Sequence, residues 1–158
     1  MKTIKGLILR LLWGKRVSAA NAIADGIHAH GWLTVTASAA LASKYLLVTA
    51  GGTTAADAST AAIGVCYEVV TATDIANSIP VRVSALGVGP TKLMVASSDA
   101  SGVIAAGALV AQAAAGAVKA YTSGAGIIVG RALTASASAG DVLEVASCIA
   151  NVASAAAT

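Results

Sequence analysis

From Trp32 onward, apolar and polar residues alternate with a period of two. Leu33, Val35 and Ala37 fall on one side of an extended chain, and Thr34, Thr36 and Ser38 on the other. That pattern predicts a half-buried strand. Tyr45–Thr49 predicts a second strand and Ala62–Val70 a third. Ile79–Leu86 predicts a fourth, with Val81 and Val83 facing away from Arg82 and Ser84. Pro80 has no N–H to give to a ladder, so this strand lies at a sheet edge or begins at that residue. Lys92–Ala96 predicts a fifth strand. Ala108–Gln112 and Ala117–Tyr121 form a hairpin across Ala114-Ala115-Gly116. Helix propensity favours the Ala-rich run 111–120, but Gly116 and the flanking β-branched residues suit the hairpin better. The last unit is the run Val129–Leu133, a turn at Ala139-Gly140-Asp141, and a strand. In that strand Val142, Glu144 and Ala146 point one way and Leu143 and Val145 the other. The segments 53–60, 71–78, 97–101 and 122–126 read as loops. About nine short strands separated by small-residue turns predict an all-β protein, a compact small β-barrel or sandwich. Its domain spans residues 32–150. Residues 151–158 fade into Ala, Ser and Thr and read as a loose tail.

The strands echo one another. Leu47-Val48-Thr49-Ala50 answers Leu109-Val110-Ala111-Gln112, and Ile63-Gly64-Val65-Cys66 answers Val129-Gly130-Arg131-Ala132. Pro80-Val81-Arg82-Val83 answers Val142-Leu143-Glu144-Val145, after a connector about four residues longer in the first copy. The echo is either a duplication or the common grammar of Ala- and Gly-rich β proteins.

Residues 1–31 have a different pattern. Wound at 3.6 residues per turn, Ile4, Leu7, Ile8, Leu11 and Leu12 share one face, opposite Lys2, Lys5, Arg10 and Arg16. Leu9 and Trp13 fall on the charged side, and Gly6 and Gly14 each cost about 1 kcal/mol of helix propensity. This predicts an extended or weakly helical basic arm that orders on contact. Val17–Trp32 continues as a short helix or irregular connector, with Val17, Ala20, Ile23, Ala24 and Ile27 at helical spacing. His28 and His30 form an H-x-H pair, with no Cys, Asp or Glu cluster at ligand spacing beside it, so no metal site is expected.

Charge sharpens this division. The net charge is +3, yet Lys2, Lys5, Arg10, Lys15 and Arg16 put +5 in the first 16 residues. Five basic against seven acidic groups leave the remainder at −2. A basic arm on a mildly acidic body argues against a nucleic-acid-binding domain. Composition adds a second constraint. The chain has no Phe and only 3% aromatic residues, so a core of Ala, Val, Leu and Ile buries little area per residue. At about 25 cal/mol per Å² such a domain is marginal alone, which points to burial between subunits. Mean hydropathy is +0.82, but no uninterrupted apolar run reaches the roughly 18–20 residues of a membrane span. Arg10 interrupts the N-terminal apolar stretch and Lys15-Arg16 stands where a signal-peptide cleavage site would be. Cys66 and Cys148 read as buried small hydrophobes.

Candidate chemistry is sparse. Most carboxylates sit in turns, where Asp is expected for its local hydrogen bonds. Glu68 and Arg82 are placed to pair across neighbouring strands. Gly87-Val88-Gly89-Pro90-Thr91-Lys92 lacks phosphate-loop spacing, and Pro90 removes a donor N–H. There is no G-x-S-x-G and no C-x-x-C. The expectation is a protein that is not an enzyme and holds no cofactor.

Three segments carry a family resemblance: Val103-Ile104-Ala105-Ala106-Gly107-Ala108-Leu109-Val110, Ile128-Val129-Gly130-Arg131-Ala132-Leu133, and Ala139-Gly140-Asp141-Val142-Leu143-Glu144-Val145. Over roughly residues 32–150 the chain resembles the capsid decoration (cement, head-stabilising) proteins of tailed bacteriophages. The resemblance implies a structural virion protein on the outer surface of an icosahedral capsid, assembled in the host cytoplasm. It also implies that the protein cross-links neighbouring major capsid protein subunits, often as a homotrimer. The basic arm departs from the family, in which a short polar arm is common. On this reading Leu7, Leu11 and Trp13 supply apolar contact with the shell, and Lys5, Arg10, Lys15 and Arg16 pair with its acidic groups. The alternatives are another virion component, a major shell or head-fibre subunit, or a membrane-peripheral module anchored by residues 1–16.

Overall fold

The computed structural model describes residues 31–55, 60–89, 91–98 and 102–153, with backbone only at 151–153. The chain divides into two units, Met1–His30 and Gly31–Thr158, and the second carries the fold. It is all-β, as the alternation predicts. Its strands are β1 (Trp32–Thr36), β2 (Leu46–Val48), β3 (Gly64–Cys66), β4 (Pro80–Ala85), β5 (Lys92–Val95), β6 (Leu109–Gln112), β7 (Val118–Ala120), β8 (Gly126–Ala132) and β9 (Val142–Ala153). They form two antiparallel sheets, ordered β1-β4-β3-β2 and β5-β9-β8-β6-β7, one of them curled into a half-barrel.

The two sheets repeat one plan. In each, three successive strands lie side by side and the strand before them returns beside the last, a Greek-key order. β7 is an addition to the second copy. The correspondence reaches single residues. Leu33 pairs with Val83 as Lys92 pairs with Val145, and Val35 with Val81 as Met94 with Leu143. Leu41 and Val70 exchange both backbone hydrogen bonds, and so do Ile104 and Ser136. At the two echoed glycines no side chain fits. A Cβ on Gly64 would lie 2.5 Å from the Ser84 carbonyl oxygen and 2.5 Å from Val83 Cγ1. A Cβ on Gly130 would lie 2.4 Å from the Ala146 oxygen and 2.6 Å from Val145 Cγ1. Cross-strand identity of this kind is not demanded by an Ala- and Gly-rich composition, so the echo is a structural duplication.

In each sheet we call the face of Val81 and Val83, or of Leu143 and Val145, the front. The back of the first sheet packs on the front of the second. Leu47, Val65 and Leu86 meet Met94, Val110, Ala132, Leu143 and Val145 in one core. Side chains buried this fully contribute about 1.5–3 kcal/mol each for Val, Leu or Met. The front of the first sheet forms a second core, in which Leu41, Val48, Cys66, Val81 and Val83 gather and Ile75 packs on them.

Several expectations need correction. The segment 71–78 is not a plain loop, because Ala72–Ala76 forms a short helix α1. Thr71 caps it, accepting from Asp74 N, while the Asp74 carboxylate accepts from Thr71 N at 2.8 Å. This reciprocal box satisfies two donors that a helix start leaves open, and α1 lies in the longer connector of the first copy. The strand read over Ala62–Val70 is ladder only at Gly64–Cys66, with an isolated bridge at Val70. The hairpin expected across Ala114–Gly116 is present, β6 pairing with β7, and its turn is 3₁₀ with Ala115 left-handed at φ 55°. β9 runs to Ala153, past the residue where the tail was expected to begin. Pro80 does begin its strand, and that strand is central, between β1 and β3.

Candidate functional site

The predicted arm residues Lys5, Leu7, Arg10, Leu11, Trp13, Lys15 and Arg16 lie outside the described residues, as do His28 and His30. The described chain begins at Gly31, whose carbonyl accepts from Ala85 N at 2.6 Å. Gly31 adopts φ +71°, and a Cβ there would sit 3.1 Å from Val88, so Gly31 packs against the β4–β5 turn.

An aromatic group stands beside Gly31, on the back of the first sheet. Strand register places Trp32 on β1, Arg82 on β4, and Tyr67 and Tyr45 just beyond the ends of β3 and β2 on one face. Trp32 meets Tyr67 edge-on with ring centroids 5.6 Å apart, and Tyr45 meets Tyr67 at 5.3 Å and 88°. Edge-to-face pairs of this kind add about 0.5–1.5 kcal/mol beyond area burial. The Arg82 guanidinium lies 5.9 Å from the Trp32 ring centre and its Nε is 3.4 Å from Glu68 Oε1. That pair is the expected one. Both side chains are well exposed, so it contributes about 0–1 kcal/mol. The Tyr67 hydroxyl accepts from Leu93 N at 3.4 Å, tying the cluster to the second sheet. Sequence reasoning missed this group. The available signal was that Trp32, Tyr45 and Tyr67 all occur at strand ends in a chain with so few aromatics.

The ionisable groups of the body serve local structure. Asp141 accepts from Ala137 N and Ser138 N, both at 2.9 Å, and from Ser138 Oγ. These bonds, backbone donors first, hold its carboxyl below the usual range. Asp74 is lowered likewise, chiefly by the Thr71 hydroxyl and then by the Thr71 amide. Lys92 is only 1% exposed on the front of the second sheet. Its Nζ donates to the Val88 carbonyl at 2.8 Å, which holds the 87–89 turn, and loss of hydration lowers its pKa. Gln112, fully buried, accepts from Ala62 N at 3.2 Å and donates to Thr60 O at 2.9 Å. It therefore pins the loop before β3 to the second sheet. Every buried polar side-chain atom among the described residues has a partner.

The two cysteines are free. Cys66 is buried as expected, and burial pushes its thiol pKa up, with the Glu68 charge adding to the rise. Cys148 is exposed, contrary to expectation; it lies past the end of the β5 pairing, at the register shift between β8 and β9. Among the described residues no three of His, Cys, Asp and Glu come together as metal ligands, and no helix is long and apolar enough to cross a membrane. A small apolar pocket opens on the front of the first sheet, lined by Val35, Leu41, Val48, Val81 and Val83 with Ala37 and Gly52. No protein-family model, curated protein or solved structure matches the chain.

Proposed function

We propose that this protein is a structural virion component of a tailed phage. It binds the outer surface of an icosahedral capsid and stabilises the shell by cross-linking neighbouring major capsid protein subunits. The body is a rigid duplicated β scaffold, and residues 1–16 are its gripping arm. The observation that carries the reading is the use to which the polar groups are put. Asp74 caps a helix, Asp141 closes a turn, Lys92 and Gln112 hold loops, and the charge of the chain is concentrated in the arm. Stapling needs a stiff body and an anchor, and several copies per capsomer supply avidity from weak individual contacts. The aromatic group of Trp32, Tyr45, Tyr67 and Arg82 adds a contact surface on the body, since Trp, Tyr and Arg are the residue types that concentrate binding energy at interfaces.

The test is co-sedimentation of the full chain with DNA-free expanded phage heads, beside a variant lacking residues 1–16. The full chain pellets saturably and the truncated chain stays in the supernatant. Equal pelleting of both would sink the arm model, and no pelleting of the full chain would sink the capsid reading.

A further inference from the structure

The two described sheets end on β1 and β2, and on β5 and β7. Three of these edges are covered from within the chain. On β2 the Leu47 carbonyl points away from β3 and accepts from Ala55 N at 2.8 Å. On β7 the Val118 carbonyl accepts from Ser97 N at 2.7 Å. On β5, Leu93 N donates to the Tyr67 hydroxyl at 3.4 Å, and Val95 packs on the front core of the first sheet. A bare edge is a template for another chain, which is why proteins cover or blunt their edges.

β1 is different, and its hydrogen-bond phase shows which groups are open. Ala85 N donates to the Gly31 carbonyl at 2.6 Å, so Gly31 and Ala85 form a bonded pair. Antiparallel pairs alternate between bonded and non-bonded. Leu33–Val83 and Val35–Val81 are therefore the next bonded pairs. Trp32, Thr34 and Thr36 direct their N–H and C=O groups away from β4. The far side of β4 agrees. Leu86 N donates to the Ile63 carbonyl at 3.0 Å, so Ser84 and Arg82 face β3 while Val83 and Val81 face β1. The same phase turns position 80 away from β1, so Pro80 takes no bond from that ladder.

The 49–52 turn closes the C-terminal end of this edge. Gly52 lies so close to the Thr36 carbonyl that a Cβ would collide with it, and Ser38 N donates to the Gly52 carbonyl at 3.1 Å. Trp32 and Thr34 have no such cover. Among the described residues nothing bonds their outward N–H and C=O groups. No charge, proline or bulge guards the strand, whose five residues pair with β4 without a break. Its two sides differ. Leu33 and Val35 are half-buried on the front, where the apolar pocket adjoins Val35, Val81 and Val83, and Thr34 and Thr36 are exposed on the back.

We propose that the open edge of β1 is a docking site for an extended segment of a partner polypeptide, which adds a fifth strand to the first sheet. The occupant is peptide main chain because the unmet groups are main-chain donors and acceptors at strand spacing. It is apolar at alternate positions, because every second side chain of an added strand falls on the front beside Leu33 and Val35 and the others fall beside the exposed threonines. The site stands on the edge geometry and not on the capsid reading, so it is tested without a capsid.

The experiment uses the full chain, isotope-labelled, and amide exchange resolved by residue in NMR spectra. In the free protein Trp32 and Thr34 exchange fast, between slow amides at Leu33 and Val35. The probe is an end-capped Lys-Thr-Val-Thr-Val-Thr-Val-Lys peptide at up to about 1 mM, the range of weak contacts. At about 90% occupancy it slows Thr34 exchange about tenfold, because only the unoccupied chains exchange. The same peptide N-methylated at three consecutive central residues has equal charge and lacks donors on both of its edges, and it gives no slowing. Thr34→Pro removes an outward N–H and no ladder bond, so it keeps the native melting temperature and loses the protection of Trp32 by the probe. If Thr34→Pro loses its native circular-dichroism spectrum, the two peptides decide alone. Slow exchange of Trp32 and Thr34 in the free chain, no slowing by the probe, equal slowing by the N-methylated peptide, or unchanged binding to folded Thr34→Pro overturns the proposal. Protection that rises with protein concentration alone also overturns it, by giving the edge to a second copy.

Discussion

Gly64 and Gly130 offer the sharpest test of the duplicated architecture. Replacing either with alanine places a methyl group about 2.5 Å from a carbonyl oxygen of the adjacent central strand and from a valine Cγ1. Neither neighbour can swing away. The carbonyls belong to Ser84 and Ala146, next to buried strand positions, and Val83 and Val145 are themselves buried. Overpacking of a close-packed site costs typically about 1–3 kcal/mol, and contacts with backbone belong at the upper end. Removing a glycine from the unfolded chain returns roughly 0.5–1 kcal/mol. The net loss is about 2 kcal/mol at each site, or a fall in Tm of roughly 6–8 °C for a chain of this size. Gly51→Ala is the control. Its nearest neighbour is the Thr49 hydroxyl at 3.7 Å, so it is expected to be neutral or slightly stabilising. Thermal unfolding followed by circular dichroism reads all three. If Gly64→Ala and Gly130→Ala melt within about 1 °C of the wild type, or if their losses differ by more than about 1 kcal/mol, the claimed equivalence of the two sites is wrong.

Other outcomes follow from single contacts. Gln112→Leu strands the buried Ala62 N–H and frees the Thr60 carbonyl, at a cost of about 2–4 kcal/mol measurable by chemical denaturation; an unchanged midpoint would show that the clamp contributes nothing. Asp141 has a depressed folded pKa, so its contribution is present above the unfolded value near about 4 and is lost as pH falls through the folded value. The Tm gap between wild type and Asp141→Asn therefore narrows as pH is lowered below about 4; a gap independent of pH contradicts the assignment. Thiol titration with a maleimide labels one cysteine per native chain, Cys148, and a second, Cys66, only after denaturation. Rapid labelling of both in the native protein would mean that the front core of the first sheet is open.

The strand plan was legible because small β proteins of this composition signal strands by alternation and turns by Gly. Leu143 and Val145 against Val142 and Glu144, and Val81 and Val83 against Arg82, face as the pattern requires. The echo was legible in three short stretches, and its cause became clear only through cross-strand neighbours that a linear reading cannot pair. Helix α1 escaped notice because five residues are too few for a period of 3.6 to show. Its signal was the capping pair Thr71 and Asp74. The exposure of Cys148 was hidden because apolar β sequence reads alike between two neighbouring strands and where one neighbour has ended, as β5 has before Cys148. The aromatic group at Trp32, Tyr45 and Tyr67 depends on three strand ends meeting on one face, which no local pattern encodes. The arm was defined by charge and composition, and its residues lie outside the described ones.

The most direct measurement is a cryo-electron-microscopy reconstruction of expanded phage heads incubated with the full chain, compared with heads alone. The account predicts additional density on the outer surface, fitted by the two stacked sheets and bridging adjacent shell subunits, with residues 1–16 in contact with the shell. Identical maps with and without the protein, or density confined to the inner surface, would contradict it.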